Sequence, residues 1–215
     1  MLNLLAFRDI ASISDTVLQF CFEQMPPERQ AKALRYRKRA DYASCVIVYA
    51  LLNKLLQRCY GMDDVPEIAY GAFGKPFFKH YQDIYFNMSH CRDSCVCGIS
   101  DSPIGVDIQD IRHVSEDVIR RVCCHEERKL PSASDLSASA FISIWAQKEA
   151  YVKMTGAGLW ENLRSINTLQ LKDRILLLED NGNYIAIASE AFPEEKSHVQ
   201  LDYATAEYLE SSSLL

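Results

Sequence analysis

The chain has 215 residues, 48% of them hydrophobic, and a formal net charge of −6 at pH 7. That apolar content supports a real core in one large domain or two small ones. No apolar run approaches the ~20 residues of a membrane helix, and an acidic chain without a long basic block is a poor match for nucleic acid, whose binding rests on many phosphate contacts.

The opening MLNLLAFRDI has no positively charged n-region and does not read as a signal peptide, so a cytoplasmic protein is expected. Eight cysteines then read as free thiols. The cluster CRDSCVC lacks the paired spacing of a zinc site and looks instead like part of a strand.

From Pro26 to Gly61 the spacing is helical, as one helix or two meeting near Lys38. Pro27 suits a first turn and Gly61 a stop. EIAYG and PFFKH flank a Gly-Lys-Pro turn, DIYFNMS and SCVCGIS read as short strands, and SDSP is a turn. IGVDIQDI, residues 104–111, opens the second part as a strand. Alternation sends Ile104, Val106 and Ile108 to a core and Gly105, Asp107 and Gln109 to the other side.

Helical patterns follow at about 115–129 and 137–155, separated by the serine-rich PSASDLSAS. In the second helix Phe141, Ile144, Trp145 and Val152 form an apolar face. SINTLQL, RILLLE, YIAIAS and VQLDYA then read as strands, the middle two joined by Asn181-Gly182, a strong hairpin signal. Helices precede strands in both parts, an α+β pattern.

Four short stretches carry chemistry. Asp107 on a strand and Glu149 on a helix could supply the one or two carboxylates that magnesium takes beside water and phosphate oxygens, with Gln109 adding a neutral oxygen. The bland alternative for Glu149 is a surface ion pair with Lys153, four residues on. Lys75, between a glycine and a proline, can reach phosphate, although Gly-Lys-Pro is also an ordinary turn. Asn87, Ser89 and His90 end a strand with three short hydrogen-bonding side chains, and a histidine there is often structural.

Taken in order, GKP at 74–76, FNMSH at 86–90, GVD at 105–107 and WAQKEAYVK at 145–153 resemble the 4′-phosphopantetheinyl transferases of the Sfp type. The basic PERQAKALRYRKRAD resembles that family's N-terminal region, so the likeness spans roughly residues 25 to 160.

The resemblance implies transfer of the phosphopantetheine arm of coenzyme A to a serine of an acyl or peptidyl carrier protein, with magnesium as cofactor. It also implies two similar α+β halves related by a pseudo-twofold, here 1–103 and 104–215, with the active site between them. By that resemblance Asp107 and Glu149 hold magnesium, and Glu149 is the base for the carrier serine. Lys148 assists the leaving group or the proton transfer, and Lys153 contacts phosphate. Lys75, Ser89 and His90 contact coenzyme A phosphates, and Arg29 and Lys32 face the 3′-phosphate. Many bacterial members have Glu where this chain has Gln109, which leaves that ligand open. A monomer without nucleic-acid or membrane partners is expected. Another magnesium enzyme acting on a nucleotide-like diphosphate, or a coenzyme A-binding protein without chemistry, are the rival readings.

Overall fold

The computed structural model describes residues 1–129, 137–158, 162–192 and 199–211. Its first strand, β1 (Leu2–Arg8), is apolar on both faces: Leu5 and Phe7 join one core, Leu4 and Ala6 another. A strand buried on both sides shows no alternation, which is why the sequence reading missed it. Helix α1 (Asp15–Glu23), also unforeseen, starts where Ser14 accepts a hydrogen bond from Val17 N.

The expected helical stretch is two helices, α2 (Pro27–Ala33) and α3 (Arg39–Tyr60), with Lys38 extended between them. Pro27 opens α2, and Gly61 ends α3 in the left-handed region at φ 64°. Strands β2 (Ile68–Tyr70) and β3 (Pro76–Phe78) form a small hairpin around the Gly-Lys-Pro loop, and β4 (Tyr85–His90) pairs with β5 (Ser94–Ser100).

After β6 (Ile104–Asp110), the pattern at 115–129 gives only a short helix, α4 (Glu116–Val122), and a 3-10 turn at Glu127–Lys129. The break follows from chemistry at Cys124, whose N–H is taken by the Glu127 carboxylate at 2.8 Å rather than by a helical carbonyl. Most of the serine-rich stretch, 131–136, lies outside the described residues. Helix α5 (Ala138–Thr155) begins at the Ser137 cap and ends at Gly156, φ 74°.

The expected strand SINTLQL is instead two 3-10 turns, Leu163–Ser165 and Thr168–Gln170. Asn162 and Asn167 accept from the backbone N–H groups of Arg164 and Leu169, and Glu127 takes Thr168 N, so these donors never become available to a ladder. Strands β7 (Ile175–Asp180) and β8 (Asn183–Ser189) form the expected hairpin; Asn181 and Gly182 have φ of 47° and 77°, as a two-residue primed turn requires. Strand β9 (Leu201–Tyr203) and helix α6 (Ala206–Glu210) close the described chain.

The first sheet has the order β4-β5-β1-β9 and the second β6-β8-β7. In each, a hairpin lies beside the first strand of its part, and a long helix, α3 or α5, packs on one face. Leu4, Ala6 and Val96 of the first sheet meet Ile104, Val106, Ile108, Ile185 and Ile187 of the second. The layers therefore run helix, sheet, sheet, helix. The segment 201–210 lies on the far side of the expected 103/104 boundary. Yet β9 pairs in parallel with β1, and Tyr208 and Leu209 enter the core around α3. The whole is a mixed α and β structure, as expected.

Candidate active site

Strand β6 is an edge of its sheet, and its free side faces β4, an edge of the other. The two edges are joined by side chains. Asn87 Oδ1 accepts from Val106 N at 3.0 Å, and Ser89 Oγ accepts from Ile108 N at 3.3 Å. Residues two apart on β4 thus serve residues two apart on β6, so the FNMSH stretch satisfies backbone donors that would otherwise be buried unpaired. The sheets meet here without a continuous ladder, and a cleft opens beside the seam.

Helix α5 closes over the other side of β6. A Cβ on Gly105 would lie 2.0 Å from Ala150 O and 2.3 Å from Met154 N, so only glycine lets the strand and helix backbones approach this closely. Ala146 and Ala150 complete the tight contact. This brings Asp107, two residues along the same face of β6, under Lys153 of α5.

Lys153 Nζ lies 2.6 Å from Asp107 Oδ1, 2.9 Å from Ser89 Oγ and 3.1 Å from Val106 O. Asp107 is 2% exposed. Its Oδ1 also accepts from Ser89 Oγ at 2.9 Å, and its Oδ2 from Gln109 Nε2 at 2.9 Å. The alternation expected for β6 holds: Ile104, Val106 and Ile108 are in the core, and Asp107 turns to the helix.

Glu149, one turn before Lys153, lines the cleft with Phe73, Gly74, Lys75, Asn87, Met88 and Lys153. The alternative ion pair between Glu149 and Lys153 is not formed; the lysine is on Asp107 instead. Among the described residues no group hydrogen-bonds or ion-pairs with the Glu149 carboxylate. Burial, then the charge of Asp107, raise its pKa above the ordinary value, and Lys153 pulls it back only in part.

The other expected site residues are distributed unevenly. Lys75 reaches the C-terminal end of α5, where its ammonium donates to Met154 O, a favourable place for a cation. Burial lowers its pKa. His90 ends β4, and burial, then the charge of Lys153, lower its pKa, so at neutral pH it is chiefly a neutral hydrogen-bonding group.

Ser89 is 6% exposed and fully engaged by Asp107, Lys153 and Ile108 N, so it acts as a strut for the acid. Gln109 turns its amide nitrogen to Asp107 while its oxygen accepts from Arg112 Nη2 at 3.3 Å. Donor to carboxylate and acceptor to guanidinium both fix this orientation, so the oxygen expected to face a metal is turned to Arg112.

Lys148 is not brought to the cleft. It is fully buried, its Nζ 2.6 Å from Glu127 Oε2, 2.7 Å from Val122 O and 2.9 Å from Leu163 O. Burial would raise the pKa of Glu127, but hydrogen bonds from Lys148, Thr168 N and Cys124 N outweigh it, and the net shift is downward. This buried pair, invisible from spacing because its partners are 21 residues apart, ties α5 to the 122–129 segment and the turns after it.

Arg29 is 5% exposed, sits 5.2 Å over the Tyr49 ring, and has no partner for its Nε among the described residues. Lys32 is exposed on the same helix.

The donor set of the cleft suits a magnesium ion that depends on substrate oxygens. One carboxylate is unengaged and a second has three of its roughly four acceptor positions filled. Among the described residues no group of three or more His, Cys, Asp or Glu side chains could hold a metal without other ligands.

Comparison with known proteins identifies a family. A model of the 4′-phosphopantetheinyl transferase superfamily matches residues 103–206. A 4′-phosphopantetheinyl transferase of Bacillus subtilis is 29% identical over 150 residues, covering 68% of this chain and 66% of the relative. The transferase psf-1 of Bacillus pumilus is 26% identical over 159 residues, covering 70% and 68%. The transferase AcpT of Salmonella typhi is 31% identical over 152 residues, covering 68% and 74%. The matches thus span about two thirds of these relatives. Glycine under the helix, the paired acid and lysine, and the unpaired acid one turn earlier all fall in the matched region, and the chain belongs to the 4′-phosphopantetheinyl transferase superfamily.

Proposed function

We propose that the chain transfers the 4′-phosphopantetheine arm of coenzyme A to a serine of an acyl or peptidyl carrier protein and releases 3′,5′-adenosine bisphosphate. The observation that carries this reading is the Glu149 carboxylate, half-buried and without a donor among the described residues, beside the Lys153–Asp107 pair in the family's own motif.

Glu149 takes the proton of the carrier serine hydroxyl. The serine oxygen bonds to the phosphorus that bears pantetheine, the bond from that phosphorus to the bridging oxygen breaks, and the bisphosphate leaves. The raised pKa makes Glu149 a better proton acceptor than an exposed carboxylate. Magnesium, held by Asp107 and Glu149, would offset the charge that builds on the diphosphate oxygens.

Lys75 and Lys153 line the cleft where phosphates would lie, His90 ends the strand that supplies Asn87 and Met88 to it, and Arg29 with Lys32 supplies positive charge on α2. Buried, with an unpartnered Nε and no acid partner among the described residues, Arg29 suits a phosphate oxygen. Ser89, Gln109 and Lys148 act through Asp107 and α5 rather than on substrate.

The matching strand orders β4-β5-β1 and β7-β8-β6 support two halves related by a pseudo-twofold, with the site between them. The chain is read as a monomeric cytoplasmic enzyme; all eight cysteines are free thiols, which suits a reducing compartment. No helix among the described residues is long and apolar enough to cross a membrane.

Incubating the protein with magnesium, coenzyme A and an apo-carrier, followed by mass spectrometry of the carrier, tests the proposal. A gain of one phosphopantetheine group is expected. An unchanged carrier alongside hydrolysis of another nucleotide diphosphate would replace it with the rival enzyme reading.

A further inference from the structure

We propose that Lys153 is a resident counter-ion of Asp107 that gives up the acid to an incoming divalent cation. Cation binding is thereby coupled to arrival of the diphosphate, whose oxygens accept the displaced ammonium. The inference rests on the transferase reading for the nature of that diphosphate, and on geometry for the rest.

All three protons of the Lys153 ammonium are in use, on Asp107 Oδ1, Ser89 Oγ and Val106 O. A carboxylate as buried as Asp107 is costly to leave without a counter-charge, and Lys153 is its only ion-pair partner among the described residues. Ser89 strengthens the pairing by donating to the same carboxylate oxygen while accepting from the lysine. With Oδ2 taken by Gln109, a cation that coordinates Asp107 meets an ammonium already seated on it, and the two charges repel at a separation where little water intervenes.

Lys153 is also built to leave. Its side chain is 28% exposed and lines the cleft, and its anchor is α5 rather than the strand that holds Asp107. A flexible four-carbon stem lets the ammonium move without disturbing either backbone. Glu149, by contrast, has no donor to lose among the described residues. A cation therefore finds one carboxylate open and one guarded, and the guard is released most cheaply when phosphate oxygens are at hand. Such coupling is reciprocal for binding: whatever the cation adds to diphosphate affinity, the diphosphate adds to cation affinity.

The test uses Mn2+ alone as probe, titrated by calorimetry into the full chain without coenzyme A or carrier. Lys153→Met is expected to bind Mn2+ at least about tenfold more tightly than wild type, a change of about 1.4 kcal/mol, because the competitor is gone. Adding Asp107→Asn to it should abolish the gain. Equal or weaker binding by Lys153→Met would overturn the proposal. Thermal unfolding checks the fold, and if Lys153→Met does not fold, Lys153→Gln takes its place under the same expectation.

A second arm adds saturating coenzyme A. The factor by which it tightens Mn2+ binding should be smaller in the variant, and an equal factor would also overturn the idea. The first arm contains neither substrate, so its failure leaves the carrier-modification assay untouched. Conversely, a chain that shows the tightening but modifies no carrier keeps its counter-ion and loses only the transferase reading.

Discussion

Lys153 sits 2.6 Å from Asp107 across the β6–α5 contact and makes no ion pair with Glu149, its neighbour one turn back on the same helix. The two acids of the cleft are therefore unequal: Asp107 is paired with a counter-charge and held by three donors, while Glu149 has none among the described residues.

That inequality makes Glu149 the acid to remove first. Glu149→Gln should lower the rate of carrier modification by about 10²–10⁴-fold, the usual worth of a general base, in an assay by mass spectrometry. The fold should survive. Because the folded pKa is raised, the folded state holds the proton more tightly than the unfolded chain. Wild-type stability therefore falls as pH rises from the ordinary 4.5 through the raised value. At neutral pH the glutamine variant should melt no lower than wild type. Catalysis has the opposite sign: kcat/KM should rise with pH through the same interval and level off above it. Near-normal turnover in the variant would remove Glu149 from the chemistry.

Gly105→Ala should destabilise the protein by about 1–3 kcal/mol or more, since both clashing atoms are backbone and no side chain can turn aside. Denaturant unfolding would measure it. A wild-type midpoint would mean that α5 and β6 can separate freely.

Glu127→Gln and Lys148→Met should each cost about 3–5 kcal/mol, the first by stranding a buried ammonium and the second a buried carboxylate. The double variant leaves neither charge behind, and its amide oxygen can still accept from one of the two backbone donors, Thr168 N or Cys124 N, so it should recover part of the loss. The folded pKa of Glu127 is lowered, so its stabilisation is present above the ordinary 4.5 and is lost as pH falls through the folded value. Melting temperatures should drop less steeply in the double variant as pH falls through that interval. Equal slopes would show that other carboxylates govern acid unfolding.

Gln109→Ala should be tolerated far better than Asp107→Ala, because Gln109 donates to the acid and turns its oxygen to Arg112. Gln109→Glu places a second carboxylate beside Asp107. It should lower the melting temperature in the absence of metal and tighten magnesium binding, both readable in one titration series followed by thermal unfolding. If Gln109→Ala is as damaging to metal binding as Asp107→Ala, the amide coordinates the ion directly.

The sequence by itself determined the parts that depend on near neighbours in the chain. Helix ends at Pro27 and Gly61, the Asn181-Gly182 turn and the alternation of β6 follow from local backbone and side-chain geometry. The four ordered motifs were equally legible, because their residues lie close together within each stretch.

Only the tertiary structure decided which partner each charged group found. Lys153 had Glu149 within helical reach and took Asp107, since Gly105 lets β6 pass close beneath it. Lys148, written into the same motif, went to Glu127 in the core. β1 showed no alternation, being buried on both faces, and SINTLQL lost its strand because Glu127 and Asn167 took its backbone donors. Periodicity records which face of an element is apolar, whereas burial, close approach and competition for hydrogen-bond partners are settled only when distant segments meet.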